Sequence, residues 1–407
     1  MTEYEIKDLA HYCDVDCIVT DDSCYKITSK LAFEHAISVL NINDYIKDNI
    51  TFSPEFHYYE NECNIILGSS GTSASGKRIV LTQDAILKNV KLHVENLELT
   101  SEDIFLVYLP MCFGYCHTTL FLSSLFLGAK LVIGSSKFLA KDFFNLCEKH
   151  KVTTFSAVPT HLLLLLEYRG QVDLSKLYLK YICFGGSKLA ADNIIKFTKK
   201  YSGIALLETY GMTELGPRVT CMDIPNILNK VGSVGKSLKG IDIKIVDENG
   251  NTLKENKIGR IYVKSPSRMS GYYKNVEATL AVFKGSWFYT GDVGYLDTDG
   301  YLYLVGREKN IIISGGINIY PEEYEQIITT YNHIIEVKVY GIPDEFLGEK
   351  IAADIVVDDE FDLCNFKDFC NKRFNLNKLN NINIVDSISK TYTGKIKRWN
   401  SGDRSSR

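Results

Sequence analysis

The sequence lacks the cysteine patterns that mark zinc-binding and disulfide-linked proteins. None of its 11 cysteines forms a C-x-x-C pair. The closest pairs are Cys13/Cys17 and Cys112/Cys116, and neither has the second half that a zinc site needs. We therefore expect free, mostly buried thiols in a reducing cytoplasm.

Long apolar runs and an excess of one charge are also absent. The run Leu162–Leu166 is far shorter than the about 20 apolar residues of a membrane helix. The first residues, MTEYEIKDLAHYC, are too acidic and polar to be expected in a signal peptide. A net charge of −4 gives no electrostatic footprint for nucleic acid, and no nucleic-acid-binding motif occurs. We expect no membrane span and no nucleic-acid partner.

What the sequence does contain is typical of a soluble protein with two or three domains. It has 407 residues, of which 45% are hydrophobic and 24% are charged. From about residue 60 to 230, short apolar strands alternate with amphipathic helices, which predicts a largely parallel sheet covered on both faces. From about 230 to 306, strands separated by ENGN and TDG turns predict an antiparallel, barrel-like part. After Arg307 a small α+β unit is expected.

These patterns predict a multidomain α/β (α+β) protein. A large N-terminal domain over 1–307 would contain the parallel and mixed sheets and the barrel-like part, and a small C-terminal domain would cover 308–407. Thr82 or Asp84 would cap the first helix of the large domain. The predicted strands before the barrel-like part are 63–67, 78–82, 104–110, 129–134, 152–159, 179–186 and 204–211.

The stretch GSSGTSASGKRIVLT (68–82) is close to a phosphate-binding loop. Gly71 to Lys77 match G-x-x-x-x-G-K, but the next residue is Arg78, where a P-loop has the hydroxyl that binds Mg²⁺. Both flanking segments have the composition of strands, whereas a P-loop opens a helix. The pattern favours a hairpin loop that wraps an anion with backbone N–H groups, hydroxyls and Lys77. A flexible surface turn is an equally good interpretation of this stretch alone.

The segment ETYGMTELG (208–216) follows a predicted strand and combines an aromatic ring, a hydroxyl and a carboxylate. Tyr210 could stack on a purine, Thr213 could bond a phosphoryl oxygen and Glu214 could hold Mg²⁺. A strand end with a capping Thr and Glu is an equally good interpretation of the bare motif.

Two later segments also carry candidate binding residues. In 289–325, Asp292 in a tight Thr-Gly-Asp turn could accept both hydroxyls of a ribose, and Arg307 could reach the same sugar. In SKTYTGKIKRW (389–399), Lys395 follows a glycine and is surrounded by hydroxyl residues. Taken alone, a charged run near a terminus is more often a solvated face.

In order and spacing, these segments together resemble the adenylate-forming superfamily of acyl-CoA synthetases, peptide-synthetase adenylation domains and luciferases. YGMTE is identical to the family's Tyr-Gly-x-Thr-Glu signature, and SSGTS resembles its phosphate loop, with Lys77 at its lysine. The resemblance runs from about residue 5 to 400. Further family-like segments are FGGSKL, VGSVGKSL, MSGYYKN, WFYTGDVG, GREKNIIISGGINIYPEEYE, GIPDEFLGE and GKIKR.

The resemblance implies a two-step ligase that uses ATP and Mg²⁺. A carboxylate attacks the α-phosphate of ATP to give an acyl-adenylate and pyrophosphate, and a thiol then attacks the acyl-adenylate. CoA is the expected thiol, because SGGINIYPEE looks most like CoA ligases. One alternative is an acyl-AMP ligase that loads the phosphopantetheine of an acyl-carrier protein. A second alternative is an inactive nucleotide-binding homologue or partner subunit.

The same resemblance implies roles for individual residues. The catalytic residues would be Lys395, Thr213 and Glu214, and Glu214 would also be the Mg²⁺ ligand. The contacts to ATP and CoA would come from Ser69, Ser70, Gly71, Thr72, Ser73, Lys77, Gly185, Gly186, Ser187, Tyr210, Gly211, Asp292, Arg307, Gly315 and Gly316.

The resemblance also implies that the small C-terminal domain rotates about a hinge at Lys309. In the first step Lys395 would bridge the attacking carboxylate and the α-phosphate. After the rotation Lys395 would be withdrawn, and Gly315 and Gly316 would line the thiol tunnel.

Some departures from the family pattern bear on the substrate. PMCFGYC (110–116) has Phe113 where the family has a histidine, so any hydrogen bond from that histidine is lost. The aspartate that amino-acid-activating relatives carry in this segment is absent, which argues against an α-amino acid. The predicted pocket residues Phe113, Gly185, Gly211 and Met212 imply apolar walls without a fixed counter-charge, suited to a fatty or aromatic acid.

The start of the chain is another departure. EIKDLAHYCDVDCIVTD resembles a region well inside the family's N-terminal domain. We therefore expect a shortened version of that domain, or one whose leading portion is supplied elsewhere.

Overall fold

The computed structural model describes residues 3–35, 37–47, 64–68, 77–135, 137–374, 379–390 and 396–398. The chain divides into two compact units, Met1–Asn61 and Glu62–Arg407. The first unit contains a two-stranded parallel sheet and three helices among its described residues. Its elements are α1 (Glu3–Tyr12), β1 (Cys17–Thr20), α2 (Tyr25–His35), β2 (Ser38–Asn41) and α3 (Ile42–Lys47).

The second unit opens with a hairpin at the near-match to a nucleotide loop. Strands β3 (Asn64–Gly68) and β4 (Arg78–Thr82) pair antiparallel along their whole length, which confirms the predicted hairpin. Helix α4 (Gln83–Asn96) then begins after Thr82, whose hydroxyl accepts a backbone hydrogen bond from the first turn. This confirms Thr82 as one of the two predicted caps. Residues 69–76, which join the two strands, lie outside the described residues.

Strands and helices then alternate, as predicted. The elements are β5 (Ile104–Val107), α5 (Gly114–Cys116), α6 (Ser123–Leu127), β6 (Lys130–Ile133), α7 (Ala140–His150), β7 (Thr154–Ala157), α8 (Pro159–Glu167), β8 (Tyr181–Phe184), α9 (Ala191–Lys200), β9 (Ala205–Met212), β10 (Gly216–Cys221) and β11 (Lys236–Ser237). The strands β5 to β11 build one seven-stranded sheet in the order β11-β10-β9-β8-β7-β5-β6. The sheet is parallel from β6 to β9, and β10 pairs antiparallel with both β9 and β11.

The composition of these strands explains why helices cover both faces of the sheet. Every residue of β7 and β8 is buried, so both faces of the sheet are covered at these two strands. Successive residues of β5 face different apolar clusters. Phe105 and Val107 belong to one cluster, and Leu106 belongs to the other.

The carboxyl ends of the parallel strands meet at one edge of the sheet. Gly185 directly follows β8, and Gly211 and Met212 lie at the end of β9. Phe113 lies in the segment after β5, just before α5. This common edge is where open α/β sheets bind ligands.

The predicted antiparallel part is confirmed as a five-stranded sheet. Its region contains β12 (Asp242–Val246), β13 (Gly259–Lys264), β14 (Gly271–Tyr272), α10 (Val276–Val282), β15 (Phe283–Lys284), β16 (Trp287–Leu296) and β17 (Leu302–Arg307). The order is β12-β13-β16-β15 with β17 on β16, while β14 pairs with β4. The tight turn predicted at Asp292 is wrong, because this residue lies inside β16. The strand is irregular there, and Gly291 has a φ of 74°.

The remaining residues form an α+β segment with its own apolar core. Its elements are β18 (Ile312–Ser314), β19 (Ile317–Ile319), α11 (Pro321–Ile328), β20 (Ile334–Asp344), β21 (Gly348–Val357), α12 (Leu363–Phe374) and β22 (Asn381–Ile384). The core includes Ile312, Ile328, Val339, Ile355 and Phe366. Among all the helices that the structure describes, none is long and apolar enough to cross a membrane.

Candidate active site

Three predicted binding residues from two sheets meet at one buried carboxylate. The hydroxyl of Tyr210, on β9, donates to Oδ2 of Asp292 at 2.6 Å. Nε of Arg307 lies 2.6 Å from Oδ1 of the same carboxylate. Antiparallel pairing of β16 with β17 sets Asp292 directly opposite Arg307. The structure therefore brings together the residues that were predicted to contact the purine and the ribose.

The protonation state of this group is set by burial. Burial raises the pKa of Tyr210 well above its usual value, and the neighbouring Asp292 raises it further. The phenol therefore keeps its proton at neutral pH and acts as a donor. Asp292 accepts from one neutral and one charged donor, and an ionised carboxylate has about four acceptor positions in all.

Glu214 lies just beyond the end of β9 and contacts a residue that the sequence analysis did not name. The hydroxyl of Tyr272, on β14, donates to Oε1 of Glu214 at 3.2 Å. Nζ of Lys77 lies 4.3 Å from the centroid of the Tyr272 ring. Burial raises the pKa of Tyr272, and Glu214 adds to the effect. Tyr272 thus links the lysine after the predicted phosphate loop to the predicted Mg²⁺ ligand.

The donor set around Glu214 fits Mg²⁺ bound together with phosphate. Proteins usually hold this ion through one or two carboxylates and the oxygens of substrate phosphates and water. Only one carboxylate oxygen of Glu214 accepts from Tyr272, which leaves acceptor capacity for a cation. Within the described ranges, no group of three or more His, Cys, Asp or Glu side chains could hold a metal by itself. A site that needs the nucleotide to complete it agrees with both observations.

Several positively charged side chains lie close together in this part of the site. Lys309 lies in the short turn after β17. Burial lowers the pKa of Lys309, and repulsion from Arg307 and Lys77 lowers it further. Cations that repel one another in a partly buried place favour a bound anion. Lys77 and Lys309 supply positive charge that suits a polyphosphate, next to Arg307, whose charge is paired with Asp292.

Two of the predicted pocket residues have to be glycine. A Cβ atom on Gly185 would lie 2.7 Å from the carbonyl oxygen of Thr209. A Cβ atom on Gly211 would lie 2.3 Å from the backbone of Pro217. These strands approach so closely that any side chain would push them apart. Beside them, Phe113 and Met212 are half-buried, while Gly186 and Ser187 are exposed, and Thr213 lies against Gly114.

The last predicted residues are separate from this edge or outside the described residues. Gly315 and Gly316 form the turn between β18 and β19, where both have positive φ values, 58° and 79°. A two-residue turn of this hand favours glycine at both positions. The loop residues Ser69, Ser70, Gly71, Thr72 and Ser73 and the lysine Lys395 lie outside the described residues.

The sequence analysis missed Arg218, which lies on β10 in the strand sequence GPRVTC. Every residue of this strand is buried, and Arg218 is 1% exposed. The available signal was a charged residue inside an otherwise apolar strand next to the Tyr-Gly-x-Thr-Glu signature.

Comparison with known proteins identifies the family. A family model described as AMP-binding enzyme matches residues 1–273. A 2-succinylbenzoate–CoA ligase of Listeria monocytogenes serotype 4b (strain F2365) is 32% identical over 335 residues, which are 82% of this chain and 68% of that protein.

Solved structures agree. The o-succinylbenzoate CoA synthetase of Bacillus subtilis with its acyl-adenylate intermediate has a TM-score of 0.86 at 27% identity, covering 98% of this chain and 80% of its own. The same enzyme with ATP and magnesium has a TM-score of 0.85 at 26% identity, covering 98% and 81%. The family predicted from the motifs is confirmed: the chain belongs to the AMP-binding enzyme family and is an adenylate-forming ligase of the acyl-CoA synthetase type.

Proposed function

We propose that this chain activates a carboxylic acid with ATP and transfers the acyl group to the thiol of CoA. A carboxylate oxygen attacks the α-phosphorus, and pyrophosphate leaves. The thiol sulfur then attacks the acyl carbon, AMP leaves and the thiol proton is released. The observation that carries the proposal is the arrangement of Tyr210, Asp292 and Arg307 next to the cations Lys77 and Lys309. This arrangement suits a nucleoside polyphosphate.

Each group in this arrangement has a proposed role. Asp292 accepts hydrogen bonds from the ribose hydroxyls, and Arg307 and Tyr210 hold its carboxylate in place. The Tyr210 ring stacks on the adenine. Lys77 binds the outer phosphates together with the loop residues Ser69, Ser70, Gly71, Thr72 and Ser73.

Glu214 and Thr213 act where charge moves during adenylation. Glu214 would hold Mg²⁺, and the bound ion would supply charge neutralisation for the leaving pyrophosphate. Thr213 donates to a phosphoryl oxygen. Lys395 bridges the attacking carboxylate and the α-phosphate, two anions that otherwise repel. Most of the rate then comes from positioning and charge neutralisation.

We further propose a domain boundary after 307 and a hinge at Lys309. The separate apolar core after residue 310 supports this boundary. The exposed apolar side chains around the Gly315–Gly316 turn support a face that becomes covered when the C-terminal domain rotates for the second step. Ile313 is 46% exposed, Ile317 49% and Phe346 93%.

The acceptor and the compartment are proposed from the sequence motifs and the cysteines. Free CoA is favoured because the SGGIN segment resembles CoA ligases. Loading of an acyl-carrier protein is the second candidate. The described cysteines are all free thiols, which supports a reducing compartment such as the cytoplasm.

The test is acid-dependent release of pyrophosphate, with hydroxylamine present to trap the activated acyl group. The panel covers short, medium, aromatic and hydroxy acids, each supplied as the monoacid and the diacid. Saturation with free CoA in a coupled thioester assay is the expected result. Thioester that forms only with a phosphopantetheinylated carrier would favour the second candidate. ATP binding without pyrophosphate release for any acid would favour an inactive homologue.

A further inference from the structure

Arg218 is a buried cation on β10. Its side chain is among the largest that are fully buried, with 1% of the residue exposed. An arginine side chain keeps its charge in a protein. Burying a charge is costly unless an opposite charge or a full set of hydrogen bonds compensates for it. The surroundings of Arg218 therefore indicate what it is for.

The partners of the Arg218 guanidinium are all uncharged. Its Nε donates to Nδ1 of His93 at 3.1 Å and its Nη1 to the hydroxyl of Thr209 at 2.8 Å. Its Nη2 lies 3.4 Å from the hydroxyl of Ser156, and the ring of Tyr115 covers it at 4.9 Å. Within the described segments, no carboxylate forms an ion pair with Arg218.

His93 does not supply the missing negative charge. Its Nε2 contacts the carbonyl oxygen of Thr119 at 3.1 Å, so Nε2 carries the proton and Nδ1 accepts from Arg218. Burial holds the pKa of His93 well below its usual value, and the adjacent guanidinium lowers it further. The ring is therefore neutral, and its tautomer is the one that serves the arginine.

The guanidinium is connected to the predicted acyl pocket through its neighbouring residues. The Thr209 hydroxyl, which accepts from Arg218, is 2.8 Å from the position of a Cβ on Gly185. Pro217, whose backbone meets Gly211, directly precedes Arg218 in the chain. Tyr115, which covers the guanidinium, lies two residues after Phe113. Gly185 and Gly211 therefore each approach a residue that bonds to Arg218 or directly precedes it.

We propose that Arg218 binds a second carboxylate of the substrate, so that the acid activated by this chain is a dicarboxylic acid. The inference rests on the proposed function. The first carboxylate reacts at the Thr213–Glu214 end of the site. The second carboxylate, at the far end of the acyl group, accepts hydrogen bonds from the N–H groups of the guanidinium. The guanidinium matches a carboxylate in geometry and charge. The neutral partners then hold Arg218 in place without competing for its charge.

The test uses matched acids and matched variants. Each candidate diacid is compared with its monomethyl ester, which has nearly the same shape but one charge less, by pyrophosphate release. The variants are Arg218→Met and Arg218→Lys. Arg373→Met is the control, because Arg373 is an exposed arginine on α12 over the Phe369 ring. ATP binding and the melting temperature are measured for every variant.

For the wild type we expect kcat/KM for the best diacid to exceed that for its monoester by about 10²-fold or more. Arg218→Met should lose about 10²-fold or more with the diacid but little with the monoester, while ATP binding is kept. Arg218→Lys should lie between, and Arg373→Met should match the wild type.

Three results would overturn the inference. One is a wild type that uses monoesters as well as diacids, a result that needs no variant to fold. Another is an equal loss with both acids in Arg218→Met while ATP binding is intact, which indicates a purely structural arginine. The third is that none of the acids in the panel supports pyrophosphate release. That result contradicts the proposed function, and the inference falls with it.

Discussion

Arg307 lies on β17 and Arg218 lies on β10, and the two arginines handle their charges differently. Arg307 is partly exposed, with 43% of its side chain accessible, and is paired with Asp292. Arg218 is 1% exposed and touches only neutral groups. The first charge is balanced before any ligand binds, so it mainly orients Asp292. The charge of Arg218 has no counter-charge among the described residues, so it selects for a substrate that carries a carboxylate. The nucleotide side of the site is generic, and the acyl side is specific.

The largest effect is expected at Lys395, for which we propose a role in adenylation. Removing one preorganised donor to developing charge typically lowers a rate by about 10²–10³-fold. Lys395→Ala should therefore cripple acyl-adenylate formation. Given synthetic acyl-adenylate and CoA, the same variant should make thioester at close to the normal rate. Equal loss of both half-reactions would contradict the two-conformation mechanism, and no loss in either would contradict the assigned role.

A loss of about 10²-fold is expected from Glu214→Gln, because the neutral amide cannot replace a carboxylate as a Mg²⁺ ligand. Pyrophosphate release should fall while the melting temperature stays within a few degrees of the wild type. Tyr272→Phe is the matched control, since it removes the hydroxyl that contacts Glu214 and keeps the carboxylate. If Glu214 serves only as a cap, activity should survive and stability should fall by about 1 kcal/mol.

Asp292→Asn directly tests Arg307, the arginine whose charge is paired with a carboxylate. The change removes the charge that Arg307 and Tyr210 share and weakens the acceptors proposed for the ribose. Losing a charge-assisted hydrogen bond costs about 1.5–3 kcal/mol, so KM for ATP should rise about 10- to 100-fold. The preference between diacid and monoester should not change. A shift in acid preference would show that the two sides are coupled and would contradict the division between them.

Glu208→Gln should have the smallest effect on rate, and it tests whether Arg218 has a hidden counter-ion. Glu208 precedes Thr209 on β9, is 3% exposed, and its Oε2 has no partner among the described residues. Burial raises the pKa of Glu208 to about 8, although Lys188 opposes the shift. The folded state therefore keeps this proton between about pH 4.5 and 8, where the unfolded chain loses it.

Stability should accordingly fall as the pH rises through that window. Glu208→Gln should match the wild type near pH 4.5 and be more stable by up to a few kcal/mol near pH 8. Chemical denaturation at the two pH values measures the difference. A variant that is less stable than the wild type at pH 8 would identify Glu208 as an ionised partner and would weaken the case for Arg218.

The elements set by local sequence could be predicted, and those set by contacts between distant strands could not. Thr82 precedes an amphipathic run, so its cap could be foreseen, and strands on both sides of the glycine-rich loop excluded a P-loop. The contact of Tyr272 with Glu214 joins residues 58 positions apart, and no local pattern announces it. The turn expected at Asp292 failed because Gly291 absorbs the bend within a paired strand. Arg218 was missed because its three hydrogen-bond partners come from three separate elements, α4, β7 and β9.

The hydrogen bond from the Tyr210 hydroxyl to Asp292 has a consequence for the energetics of folding. Tyr210 belongs to the seven-stranded sheet, and Asp292 belongs to the five-stranded sheet. A nucleotide that contacts both residues is bound only when the two sheets are docked, so binding and docking are thermodynamically linked. At a nucleotide concentration about 100 times its dissociation constant, the linkage adds about 2.7 kcal/mol to the stability of the docked state. The substrate therefore also holds together the two sheets that form its site.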